Sequence, residues 1–87
     1  MIYILDLECD NLLDKVTKIH CIVMKDINTD EVFTDINTCI EKIKTAKMLI
    51  GHNIIAFDMP VIKKILNIQT KAELFDTLVA TRLIYAH

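Results

Sequence analysis

The sequence has no tryptophan, one glycine, one proline and only 6% aromatic residues. It also lacks any linker, internal repeat or low-complexity tract, so its 87 residues (1–87) are read as a single domain with no room for a second. Chains of this size bury only roughly 60% of their unfolded surface, so modest stability is expected, and a bound ion or partner chain would add to it. No apolar run approaches the ~20 residues of a membrane-spanning helix. Asp6 and Glu8 interrupt the only apolar stretch near the start, which argues against a signal peptide.

Cys9, Cys21 and Cys39 stand far apart, without a C-x-x-C pair or a suitably spaced histidine. Zinc binding is therefore not expected, and the odd number suits reduced thiols that act as small buried apolar residues. An excess of positive charge is missing too. Ten Lys and Arg against twelve Asp and Glu leave a net charge of −2, the wrong sign for gripping nucleic acid through a basic face. A nucleic-acid role would need bound cations, and two divalent ions would reverse that sign where a phosphate sits.

More than half of the residues, 53%, are hydrophobic, enough for a packed core. Residues 2–7 are apolar almost throughout and predict a central strand buried on both faces. Residues 19–25 alternate as a second strand, the turn residues 27–30 follow, and 31–34 complete an antiparallel hairpin. Ile36, Ile40 and Ile43 then take helical spacing, with a start at Asp35 or at a Thr38/Glu41 capping box. Residues 48–50 predict a short strand before the single glycine. A second helix begins between 53 and 58, with Pro60 in its first turn, and a third starts at Asp76. The order β-β-β-α-β-α-α, with a right-handed crossover returning a strand beside the first, predicts a mixed α/β sheet.

Two features carry chemistry. Asp6 and Glu8 lie two apart, so both project from one face of a strand end and suit a hard cation such as Mg²⁺. Alone, such a pair is more often a solvated loop feature. The second is HNIIAFDMP (52–60), which puts Asp58 at the carboxyl end of a strand, where α/β sheets place ligand groups. The plainer alternative is that Asp58 caps a helix and Asn53 closes a turn.

The segments IYILDLECDNLL…VTKIHC, HNIIAFDMPVIKKI and FDTLVATRLI together resemble, in the right order, the DEDD 3′–5′ exonuclease (proofreading) domain of family A DNA polymerases. The short-tailed bacteriophage type is the nearest likeness. The resemblance implies an RNase H-like fold and two-metal phosphodiester hydrolysis with Mg²⁺ or Mn²⁺ at the 3′ end of single-stranded DNA. It maps the catalytic and metal-binding acids to Asp6, Glu8 and Asp58. Asp6 would bridge two ions, Glu8 would help hold the one on the attacking side, and Asp58 the one facing the leaving oxygen. Asn53 and Phe57 belong to the second motif. Leu7, Phe57 and Tyr85 are the few candidates for stacking on a base, each equally at home in a core. Asp76 in FDT matches a position that is not a metal ligand and is read as a helix cap. His20 and His52 are read as ordinary core or surface residues, and Arg82 as a solvated one within reach of a phosphate. The setting implied is a bacterial or phage-infected cytoplasm.

The family's third motif, a Tyr or His followed by an Asp, is expected beyond FDT, and no acid follows Tyr85. The chain thus reads as an N-terminal part of such a domain, weak or inactive alone, and the last carboxylate would come from the remainder of a polymerase docking as a separate chain, from a continuing reading frame, or not at all. The alternative is a non-catalytic RNase H-like module that uses an open sheet edge or helix face to dock a polymerase or another chain.

Overall fold

The computed structural model describes residues 1–85, the side chains of Ile84 and Tyr85 excepted. Its elements are β1 (Ile2–Cys9), β2 (Ile19–Asp26), β3 (Val32–Phe33), α1 (Ile36–Thr45), β4 (Met48–Gly51), a π-helical turn (Ile54–Asp58), α2 (Met59–Leu66), β5 (Glu73–Asp76) and α3 (Thr77–Tyr85). The five strands form one mixed sheet in the order β3-β2-β1-β4-β5. β1 pairs antiparallel with β2 and parallel with β4, and β4 is parallel to β5. This is the α/β architecture expected, and it is compatible with an RNase H-like fragment. Among the described residues no helix is long and apolar enough to cross a membrane.

β5 is the element that sequence patterning misses. Four residues with Phe75 half exposed show little alternation, and their pairing to β4 is a tertiary event. β1 is central as expected, yet it is not buried on both faces. Tyr3, Leu5 and Leu7 point into the core, whereas Ile4 on the opposite face is 44% exposed. Period-two geometry explains the split: both helices that join the core, α1 through Cys39 and Ile43 and α2 through Val61 and Ile62, cover the same side of the sheet as Leu5, Ile22, Met24 and Leu49. The described side chains of α3 contribute nothing to that core.

Local chemistry sets the element ends. Asp35 caps α1 by accepting from the Thr38 N–H at 2.9 Å. The capping box does not form, because the Thr38 hydroxyl itself donates to Asp35. In the β2–β3 turn, buried Asp26 accepts from the Asn28 N–H at 2.8 Å, and Asp30 takes a positive φ of 61°. The three cysteines separate by environment: Cys39 is buried, Cys9 half-buried and Cys21 exposed, so only Cys39 is the small core residue expected of all three.

Gly51 ends β4 with a negative φ, so conformational freedom is not its reason. A Cβ there would stand 3.0 Å from Ile54 Cβ and 3.1 Å from the Leu5 carbonyl oxygen. The absence of a side chain lets the following turn fold back tightly across the end of β1.

Candidate metal and nucleotide site

The carboxyl ends of the parallel strands β1 and β4 lie side by side, with Ile4 paired to Ile50. Asp6 and Glu8 therefore project from the end of β1 on the open face, both exposed. After Gly51 the chain passes through Asn53 in the left-handed conformation, φ 64°, and enters the π turn. The Met59 N–H donates to the Ile54 carbonyl across five residues, widening the helix and fixing where Asp58 points. Asp58 closes this turn rather than standing in the first turn of an α-helix, and its side chain makes no capping bond. The plainer role of helix cap is thus not what it does.

Asp58 is 5% exposed. Burial first, then the negative charges of Asp6 and Asp76, push its carboxyl up to about 7. The two distant stretches, Asp6 and Asp58, are thereby brought within electrostatic reach of each other. Glu8 stands a step further out, with its carboxylate 3.9 Å from the Cys21 sulfur. Among the described residues no three His, Cys, Asp or Glu side chains converge as a ready-made ligand set. The donors are nonetheless all carboxylate oxygens, which fit a hard cation held by one or two carboxylates and completed by water and phosphate oxygens.

Beside Glu8 lies an open groove of about 490 Å³ lined also by Leu7, Leu12, His20 and Phe57 among others, with neither Asp6 nor Asp58 in its lining. Leu7 is buried and Phe57 half-buried, so each serves the core and presents an edge to the groove. Tyr85 as a stacking residue falls outside the described side chains. His20, which the sequence presents as an ordinary core or surface residue, is one of the groove's lining residues. It reaches the groove because the β1–β2 register slips between Glu8 and Cys9, a bulge of the kind that re-aims side chains near functional sites. Asp10 pins the loop at the groove's rim, its carboxylate accepting from the Thr17 hydroxyl, the Thr17 N–H at 3.0 Å and the Lys18 N–H at 3.1 Å. These bonds, led by that from the Thr17 hydroxyl, hold its carboxyl well below the usual range.

Asn53 is not among the residues that line the groove. Its backbone N–H donates to Asp76 at 2.9 Å in the turn that follows β4. Asp76 ends β5 and caps α3 through the Leu78 and Val79 N–H groups. Burial works to raise its carboxyl, but the N–H donors of Ile55, Asn53, Val79 and Leu78 outweigh burial and keep it below the ordinary range. His52 Nδ1 lies 3.0 Å from the Thr77 hydroxyl, another long-range contact without a sequence signature.

No protein-family model matches the chain. Among curated proteins, a DNA-directed DNA polymerase of Enterobacteria phage T3 is 31% identical over 97 aligned positions, covering 94% of this chain. The chain spans only 14% of that polymerase's length. The similarity supports a relationship to a segment of a phage DNA polymerase.

Proposed function

We propose that the chain is the metal-holding and 3′-end-binding part of a 3′–5′ exonuclease unit of a phage-type DNA polymerase, at work in the cytoplasm of a bacterial host. The observation that carries this reading is Asp58: a buried carboxyl that feels the charge of Asp6 and is held at about 7, a group that calls for a proton or a cation. Asp6 and Asp58 would hold a divalent ion such as Mg²⁺ or Mn²⁺ with Glu8 beside them, and that ion when bound supplies charge stabilisation to the phosphodiester under attack. Leu7 and Phe57 would offer apolar edges to the terminal nucleotide of single-stranded DNA, in the groove that Glu8 also lines. The remaining carboxylate of such a set belongs to the rest of a polymerase chain, supplied in cis or in trans. The lone chain is accordingly expected to act slowly.

The test is hydrolysis of a 3′-labelled single strand with Mn²⁺. Wild type should release nucleotides from the 3′ end, and Asp6→Ala should cut that rate by roughly 100-fold or more. Equal rates for the two proteins would refute the reading.

A second reading is favoured by the open sheet face. Ile4 at 44% and Phe75 at 49% exposure flank Ile50 in one paired row, an apolar strip on the side that α1 and α2 leave bare. The strip would dock the remainder of a polymerase chain, with or without catalysis. Light scattering of the chain mixed with that remainder should show a complex, and Ile4→Lys should abolish it while leaving the unfolding temperature within a few degrees. A complex untouched by Ile4→Lys would place the contact elsewhere.

A further inference from the structure

A helix cap needs one or two accepted N–H bonds, and Asp76 accepts four. Its Oδ1 takes the Leu78 N–H at 2.9 Å and the Val79 N–H at 3.3 Å, which is the cap of α3. The same oxygen takes the Asn53 N–H at 2.9 Å, and Oδ2 takes the Ile55 N–H at 3.0 Å. The last two reach back more than twenty residues to the entry of the π turn that ends at Asp58. Thr77 adds a second staple between the same stretches, donating to the Gly51 carbonyl at 3.5 Å and lying 3.0 Å from His52 Nδ1.

The arrangement is costly, which is why it is informative. Asp76 is 5% exposed, and a buried carboxylate is tolerated only when its oxygens are satisfied. A serine or asparagine would cap α3 with far less burial of charge. Asn53 is a non-glycine residue at φ 64°, a conformation the surrounding bonds must hold in place. The excess acceptor capacity of Asp76 goes to that entry and to the Ile55 N–H of the π turn.

We propose that Asp76 is a positioning residue: by gripping the N–H groups of Asn53 and Ile55 it sets the π turn so that the Asp58 carboxyl faces Asp6. Its consequence for metal binding rests on the function proposed above, whereas the positioning itself does not.

Asp76→Asn separates the two roles. Asparagine keeps one acceptor oxygen for Leu78, Val79 and Asn53 but turns an NH₂ group toward the Ile55 N–H. Backbone amide NMR of the metal-free protein should show the signals of residues 54–58 displaced or doubled, with those of Leu78 and Val79 nearly unmoved. Mn²⁺, followed by paramagnetic broadening of the Asp6 and Asp58 signals, should bind roughly 10-fold or more weakly than to wild type. Asp35→Ala, which breaks the cap of α1 instead, should leave residues 54–58 unmoved. Signals of 54–58 unchanged in Asp76→Asn would overturn the proposal and reduce Asp76 to a cap. Wild type that binds no Mn²⁺ would sink the metal reading alone, because the amide signals decide positioning without it. Should Asp76→Asn fail to fold, Thr77→Val removes the second staple, and displacement of residues 52–58 supports the linkage while its absence counts against it.

Discussion

Asp58→Asn is expected to stabilise the metal-free chain at pH 8 and to abolish its stabilisation by Mn²⁺. The sign follows from the raised carboxyl. Asp58 titrates near 7 in the folded chain and near 4, the ordinary value, when unfolded. A group whose folded pKa is raised contributes stability that is fully present below about pH 4 and is lost as pH climbs toward 7. Wild type should therefore lose on the order of 4 kcal/mol between those limits through this one group. That is a large share of the roughly 5–15 kcal/mol that holds a small domain together. Asparagine resembles the protonated acid, so the variant should lack this slope.

A cation does at pH 8 what a proton does at pH 5. Mn²⁺ at 100 times its dissociation constant should return about 2.7 kcal/mol to wild type and nothing comparable to the variant. Urea unfolding at pH 5 and pH 8, with EDTA and with Mn²⁺, measures all of this. Identical pH slopes for the two proteins would mean that the Asp58 carboxyl is not shielded in solution.

Leu49→Ala should be the most damaging core substitution of its size, at about 2–5 kcal/mol. Leu49 is 0% exposed, and it sits in β4 opposite Tyr3 of β1 and Leu74 of β5. Its removal leaves a hole where the two parallel pairings meet beneath the helices. Ile4→Ala, one strand position along from Tyr3, the partner of Leu49, but on the open face, should cost under about 1 kcal/mol because Ile4 keeps 44% of its surface in water. The urea midpoints of the two variants report which face of the sheet is core. Similar losses would mean that another chain covers the open face in solution.

The acids show how far local pattern reaches. Asp6 and Glu8 share a strand face because a strand has period two, a property of the residues' spacing alone. Asp58 was legible as a candidate from its place between a strand and a proline-marked helix start. Its burial and its proximity to Asp6 were not, since both depend on a parallel pairing across more than forty residues. His20 reads as an ordinary histidine in the sequence because its approach to the groove depends on a bulge, and a bulge is a slip in pairing between two strands. β5 was missed because four residues carry too little periodicity to announce a strand before β4 is there to bond to.

By itself the sequence determined the mixed α/β class, the hairpin, the spacing of the first two acids and the start of α1 near Asp35, because each rests on dihedral preference, periodicity or bonds within a few residues. The tertiary structure decided which sheet face is covered, the π turn that aims Asp58, the fourfold grip of Asp76 and the raised affinity of Asp58 for a proton. Those depend on burial and on charges brought together from distant positions, and neither exists until the chain has folded.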